Sequence, residues 1–564
     1  MDALVVDLTH GGVKIAVELE KLGQFDNIHA YDIYNTLKED EKYRLHSHNI
    51  KLLDNESDII NYISNYINDL NNIDDLKINA SKTTDDNCLL VINPIHSSFN
   101  ICNIINNFKI IDNNNNNYNS IDSISPIDSI GSVNSINSIN YINLNFIKEI
   151  THHKAVNLIL NKWKKKINRI SQANRENIPI IEVTGVKGKT SVVEMLKEIL
   201  VNENPLVLSS LGANLYKNDK KIVLKKNISI TPASMLETVK LAKKIANPDC
   251  IKSGENDKLC YSACIFESSL GVSGLGDVSV LTNIVENYPI AKDTSNAKNA
   301  KEQVFDCDIV SIEKETLEKY YSEKMDNGYN VNTFSFSDKN ANLFVDEVKF
   351  DLNSTNVKLI YNDIKTISGK LINGCLDIDT FAPGKHHVLN VLAAVTAVLS
   401  CDIDENIIIS GLANFMGIKG RTSLKIQEGQ VIIEEINPGI NTKAIESSID
   451  MINNLNDYVI ILGGKYGVTC EEIDENKVAN FLDNFLYNIL DISKDKMNKN
   501  DGDSYLDSKF NLILSDDLGK KIGKKMENTV KFIENPIEAQ KLAIENNKNA
   551  LFIYRSNYSQ INKR

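Results

Sequence analysis

The stretch Ile180-Ile181-Glu182-Val183-Thr184-Gly185-Val186-Lys187-Gly188-Lys189-Thr190-Ser191 decides the fold. Ile180 to Val183 read as a short buried strand. A glycine-rich turn follows, and a helical pattern runs on through Met195 to Leu200. Strand, Gly-Lys-Thr turn and helix together make a credible phosphate loop. The glycines let backbone N–H groups crowd around phosphate oxygens, and the helix N-terminus adds partial positive charge. Gly185, Val186, Lys187, Gly188, Lys189, Thr190 and Ser191 are the expected contacts. Lys189 would neutralise the terminal phosphates, and Thr190 would offer its hydroxyl to Mg²⁺. The longer pattern G-x-x-x-x-G-K-[ST] is not met, because Val183 stands where its first glycine belongs. A shorter form, Thr-Gly-x-x-Gly-Lys-Thr-Ser, stands here.

Working outward, Ala3 to Asp7 read as a buried strand, and Gly11-Gly12 turn into an amphipathic stretch from Val13 to Leu22. Further strands are expected before Tyr31-Asp32 and at Leu89–Ile92, which ends on Asn93-Pro94. Strands alternating with helices argue for a parallel α/β domain. Residues 101 to 148 change character, with an Asn113–Asn117 run and a Ser-Ile repeat, and read as a low-complexity disordered insertion. A helix is expected over Lys154–Ile170. Beyond residue 419 the strands are Val431–Ile433, Val459–Leu462, Leu512–Leu514 and Leu551–Tyr554. Lys494–Ser508 reads as a surface loop.

With 564 residues the chain holds several domains. A net charge of −13 argues against a non-specific nucleic-acid surface. No apolar run approaches the roughly 18 residues of a membrane span, and the N-terminus lacks the basic and apolar regions of a signal peptide. A soluble cytoplasmic protein without nucleic-acid or membrane partners is expected. There are nine cysteines; Cys260 and Cys264 lie four apart without a second pair, which does not fit zinc-ligand spacing. Scattered buried thiols in a reducing cytosol are the preferred reading.

The shorter phosphate loop resembles that of the Mur ligase superfamily, and further motifs occur in that family's order. Ile265-Phe266-Glu267-Ser268-Ser269 resembles the strand whose Glu holds Mg²⁺, and Leu281-Thr282-Asn283-Ile284 the next strand end. Lys301 lies where the family often has a carbamoylated Lys. Gly384 to Asn390, with His386 and Asn390, resembles the segment near the adenine. Gly420-Arg421 resembles the pair that closes the central domain on the phosphates. The resemblance covers about residues 180 to 440. It implies a three-domain α/β architecture, with a central P-loop ATPase domain between two Rossmann-like α/β domains. The boundaries expected are 1–100 for an N-terminal substrate domain, 101–148 for the insertion, 149–418 for the ATP-binding domain and 419–564 for the C-terminal domain. It also implies ATP and Mg²⁺ as cofactors, with Lys189, Glu267, Lys301 and Arg421 as catalytic groups.

The chain departs from the family pattern in places. Glu286-Asn287-Tyr288 replaces an Asp-His, His387 stands where Asn is usual, and Glu434 to Gly439 lacks the His of the peptide ligases. Asp7-Leu8-Thr9-His10-Gly11-Gly12, Thr151-His152-His153 and Gly463 to Glu472 resemble the methanogen branch of the superfamily. That resemblance implies a reduced nickel tetrapyrrole as substrate, with a propionate activated as an acyl phosphate and attacked by a carbon of the same macrocycle. Asp7, His10, His152 and His153 are its candidate contacts. Asp7 could equally be a strand-end turn residue, and the histidines solvent-facing residues at a helix start. An amino-acid-adding amide ligase and a nucleotide-binding scaffold are the rival readings.

Overall fold

Asp2–Val6 form strand β1, every residue of which is buried. Its side chains alternate between two cores, as a strand covered on both faces must. Ala3 and Val5 pack with Ile15, Ala16 and Leu19 of the helix Val13–Glu20, while Leu4 and Val6 pack with Ile59 and Ile63 of the helix Glu56–Asp74. Strands β2 (Ile28–Tyr31), β3 (Lys51–Leu53), β4 (Leu89–Ile92) and β5 (Ile147–Ile150) complete an all-parallel sheet in the order β3-β2-β1-β4-β5.

The computed structural model describes residues 1–74, 88–103 except 98 and 102, 147–174, 178–250 except 219, and 512–556. It also describes 260–495, except 291–294, 326–327, 352–353, 420, 437–439, 441, 452–457 and 467–472. Most of the expected 101–148 insertion and of the Lys494–Ser508 loop lies outside the described residues. The part of 101–148 next to β5 is strand: Ile147–Ile150 pairs with β4 and so belongs to the first sheet, beyond the residue-100 boundary expected for that domain.

The chain divides into two compact units, one of Met1–Lys187, Asn202–Val310 and Tyr320–Asn330, the other of Gly188–Val201, Ser311–Lys319 and Val331–Arg564. Besides the first sheet, the first unit holds β6 (Ile180–Thr184), β7 (Leu206–Ser209), β8 (Gly212–Lys217), β9 (Lys220–Lys225), β10 (Cys264–Glu267) and β11 (Val278–Leu281). Their order is β11-β6-β10-β7-β8-β9, parallel as far as β7 and antiparallel beyond it. The short pair β12 (Pro289–Ile290) and β13 (Ser295–Asn296) is separate, and β14 (Ile309–Glu313) divides between the units. The helices His152–Asn174 and Pro232–Cys250 share one core with β1 and β10, through Trp163, Leu236, Ala3 and Phe266. Trp163 also donates its indole N–H to the Tyr261 hydroxyl at 2.9 Å.

The second unit begins with the helix Lys189–Ile199, which packs so tightly that a Cβ on Gly411 would lie 2.3 Å from the Ile199 backbone. Strands β15 (Val331–Ser335), β16 (Leu343–Lys349), β17 (Thr355–Lys365) and β18 (Leu371–Thr380) follow in the order β18-β17-β16-β15. The remaining strands are β19 (Thr422–Gln427), β20 (Gln430–Ile436), β21 (Tyr458–Gly464), β22 (Leu512–Ser515), β23 (Lys531–Ile533) and β24 (Asn549–Arg555). They form the sheet β19-β20-β24-β21-β22-β23, parallel except for the antiparallel edge strand β19. Ile433, Leu462 and Leu514 face one core of this sheet, and Ile432, Ile461 and Phe552 the other. The first sheet and this one, its edge strand β19 apart, are thus parallel α/β layers with two cores, as their buried apolar runs imply.

Candidate active site

In the first unit the C-terminal ends of β6, β10 and β11 lie side by side, with Val183 level with Glu267 and Thr184 level with Leu281. Ligands of open parallel sheets bind at such ends. Gly185 leaves β6 at φ +146°, and a Cβ there would sit 1.9 Å from the Thr282 hydroxyl, so only glycine fits. The Asn283 carbonyl accepts from Val186 N–H at 3.0 Å, its Oδ1 accepts from Lys187 N–H at 3.1 Å, and its Nδ2 donates to the Lys187 carbonyl at 3.2 Å. The Thr282 hydroxyl donates to the same carbonyl at 2.5 Å. The amides of Val186 and Lys187, expected at the phosphates, are engaged by Asn283, and Asn283 shapes the loop.

Glu267 closes β10 and is 2% exposed, and its Oε2 accepts from Ser210 N–H at 2.9 Å. Lys301 is fully buried and donates from Nζ to the Ser269 carbonyl at 2.8 Å. Beneath the loop, buried Glu182 accepts from Ser273 N–H and Leu275 N–H at 2.7 and 2.8 Å, from Gly276 N–H at 2.7 Å, and from the Ser273 hydroxyl at 3.0 Å. Burial raises its pKa, and these four donors oppose the rise.

In the second unit Gly188 caps the helix Lys189–Ile199 at φ +85°, and its Cβ would meet the Asn390 side chain at 2.2 Å. The first helical bond runs from Val192 N–H to the Gly188 carbonyl. Amides of a helix's first turn have no intrahelical acceptor and carry the positive end of the macrodipole. Thr190 is buried, while Lys189 and Ser191 are partly exposed. Asn390, expected near the adenine, packs against the loop glycine. His386 lies against His387, with ring centroids 3.8 Å apart. His387 is buried, and burial first, then His386, pushes its pKa well below the ordinary value. Arg421 is half-buried; its N–H donates to Ile418 and its carbonyl accepts from Ile436.

The third cluster, again in the first unit, lies where β1 and β4 end, the point at which the order β3-β2-β1-β4-β5 reverses direction. Asp7 is fully buried at φ 61°. Its Oδ1 accepts from Thr9 N–H at 3.0 Å, and its Oδ2 accepts from His96 Nε2 at 2.9 Å. His96 was not singled out in the sequence; its place just after Asn93-Pro94, at a strand end, is the signal that could have found it. His10 lies in the π-helical turn Leu8–Gly12, and its side chain is outside the described set. His152 and His153 begin the helix His152–Asn174 and are both buried, which corrects their reading as solvent-facing residues. His152 donates from Nε2 to the Val6 carbonyl at 2.9 Å. His153 Nε2 stands 3.5 Å from the Ser268 hydroxyl.

Residues 424–557 match the family of the coenzyme F430 synthetase CfbE C-terminal domain. The chain is 26% identical to coenzyme F(430) synthetase of Methanosarcina acetivorans over 60% of its length and 69% of that protein. It is 27% identical to the Methanocaldococcus jannaschii enzyme of the same name over 54% of its length and 63% of that protein. A UDP-N-acetylmuramate–L-alanine ligase of Clostridium botulinum is 24% identical over 49% of this chain and 52% of the relative.

The chain is similar in sequence to coenzyme F(430) synthetases and to a Mur-type ligase. The segment lacking the peptide-ligase His is the end of β20, where the Thr422 hydroxyl donates to Glu435; Asn437 to Gly439 lie outside the described residues. Among the described residues no three His, Cys, Asp or Glu side chains group as a metal cage. A Mg²⁺ site does not need one, since Mg²⁺ keeps waters and substrate phosphates and takes few protein ligands. Buried Glu267 and Thr190 are oxygen donors of the kind it takes. Cys264 and Cys307 are buried free thiols whose pKa burial pushes well up, which makes them inert core groups. Among the described residues no helix is long and apolar enough to cross a membrane.

Proposed function

We propose that this chain is a Mur-type ligase that uses ATP and Mg²⁺ to activate a propionate of a reduced nickel tetrapyrrole. A carbon of the same macrocycle then attacks the acyl phosphate and closes a carbocyclic ring, as in the formation of coenzyme F(430). The observation that carries the reading is the coincidence of the phosphate loop, Glu267 and Asn283 at three adjacent strand ends with a C-terminal segment that matches the coenzyme F430 synthetase family.

Carboxylates acylate poorly, and phosphorylation supplies the leaving group. The protein's task is largely electrostatic. Lys189, the first-turn amides from Lys189 to Ser191, and Arg421 offset charge on the transferring phosphoryl. Thr190 and Glu267 would hold Mg²⁺, which would neutralise phosphate charge. Lys301 fixes the strand end through Ser269. His386 and Asn390 border the nucleotide, and Asp7, His10, His152 and His153 line the tetrapyrrole side. An intramolecular nucleophile needs no second substrate, because effective molarity can reach ~10⁵ M or more.

The test is turnover of purified full-length protein with ATP and the seco-tetrapyrrole acid, without amino acids. ADP, phosphate and a tetrapyrrole lighter by one water are expected. ATP consumption only with an added amino acid, and a product heavier by its residue mass, would establish the amide-ligase reading instead.

A further inference from the structure

We infer that the start of the helix His152–Asn174 is a carboxylate-docking site in which His153 Nδ1–H donates to the substrate's reactive propionate, beside Ser268 and Lys301. The inference rests on the proposed reaction for the identity of the carboxylate, but the site itself rests on geometry.

Among the described residues His153 Nδ1 is buried without a hydrogen-bond partner, while the other ring nitrogen faces Ser268. A buried polar atom left unpaired costs about 1–3 kcal/mol and calls for an explanation. Nδ1 is bonded to Cγ, so it stays close to the first turn of its own helix. That helix is 23 residues long and is capped by Thr151, whose hydroxyl accepts from Lys154 N–H at 3.1 Å and whose carbonyl accepts from Ala155 N–H at 2.9 Å. Its N-terminus favours an anion.

The charged surroundings agree. Burial first, then His152, His96 and Lys301, push the His153 pKa down to about 3. The ring is therefore neutral near pH 7 and offers an N–H in a field that repels cations. Asp7, the carboxylate on His96, is already bonded to His96 and to Thr9 N–H. Ser268 follows Glu267 in the chain, and Lys301 is tied to Ser269. A carboxylate held here lies at the strand end that carries the proposed metal ligand, where an acceptor for a phosphoryl group is needed. The oxygen accepts one hydrogen bond on docking; no covalent change is involved.

The experiment uses the full chain in three forms: wild type, His153→Phe and His153→Asn. Asn keeps an N–H donor near the place of Nδ1, whereas Phe fills the volume without one. The ¹⁵N-histidine NMR spectrum is titrated with sodium propionate, propionamide and inorganic phosphate. Affinities for the nickel tetrapyrrole and for ATP are measured in parallel. Propionate, but not propionamide or phosphate, should move one histidine signal that His153→Phe lacks. Tetrapyrrole affinity should fall about 10- to 100-fold in His153→Phe and only a few-fold in His153→Asn, with ATP affinity unchanged, as for a lost bond to a charged group.

A response to phosphate equal to that for propionate overturns the carboxylate assignment. Equal losses in both variants, or a parallel loss of ATP affinity, would make His153 a packing residue. No propionate shift also overturns the site. If wild type ignores the tetrapyrrole while propionate still moves the His153 signal, the site stands and the proposed substrate falls.

Discussion

The turn after β1 and the loop after β6 both lead from a buried parallel strand into a helix, and both depend on glycine, yet they use it differently. After β1, Gly11 at φ +100° admits a neighbouring helix, since its Cβ would lie 2.3 Å from that of Ala233. The Asp7 carboxylate draws in the Thr9 amide, so the turn satisfies part of its own polarity. After β6, Gly185 and Gly188 bring the backbone against Thr282 and Asn390, and the chain enters a helix whose first amides have no intrahelical acceptor. One glycine makes room for a packed helix; the others set the path of the loop into its helix.

Lys189→Ala breaks this comparison most directly. ATP turnover should fall by about 10²- to 10³-fold or more, as for a lost electrostatic group at a transferring phosphoryl, with the circular dichroism spectrum unchanged. Near-normal turnover in the folded variant would remove the distinction between the two turns. Gly11→Ala tests the other side. It should cost about 1–3 kcal/mol of stability through overpacking and a left-handed φ, read from denaturant unfolding, while the affinity for ATP holds. A loss of ATP affinity with intact stability would show that the β1 turn also serves the nucleotide.

The contrast extends to titration. Burial, then Lys51, brings His29 down to about 4, with Asp2 opposing, and His153 lies at about 3. Their folded-state values lie below that of the unfolded chain, which therefore takes up protons first. Stability should be full above pH ~6.5 and fall as the pH drops, by at most about 1.4 kcal/mol per pH unit for each histidine. His29→Phe should flatten the melting temperature between pH 6.5 and 5; an unchanged slope would exclude His29 as a source. Glu237→Gln should have the smallest effect. Glu237 bridges Lys14 at 2.5 Å and Lys225 at 2.6 Å, but these side chains are partly exposed. Loss of the pair should change unfolding stability by under about 1 kcal/mol, and by less in high salt.

How legible each part was follows from where its partners lie. β4 matched Leu89–Ile92 to the residue, because an unbroken apolar run stops at Asn93-Pro94. β5 escaped notice because Lys148 and Glu149 interrupt its pattern on an exposed sheet edge. The edge strands β19 and β23 are also largely solvent-facing and lack the buried run that marks their neighbours. The phosphate loop could be read because its chemistry is contiguous. Ser210 at Glu267, His96 at Asp7 and Ser268 at His153 could not, since they meet across 57, 89 and 115 positions and no local pattern records such meetings. Asn283 was picked out from its motif alone. Its motif marks a strand end, but its hydrogen bonds to Val186 and Lys187 appear only once β6 and β11 are adjacent.

Glu182 carries a consequence for the order of folding. The backbone amides it gathers from Ser273, Leu275 and Gly276 lie 91 to 94 positions along the chain. The segment 273–276 takes its shape from this carboxylate and has no strand or helix of its own. Nothing local can set its path before β6 reaches its sheet neighbours, and contacts of such separation form late because chain closure precedes them. Substituting Ser273 by Ala should therefore speed unfolding of the first unit and leave its refolding rate nearly unchanged, the signature of a contact absent from the transition state.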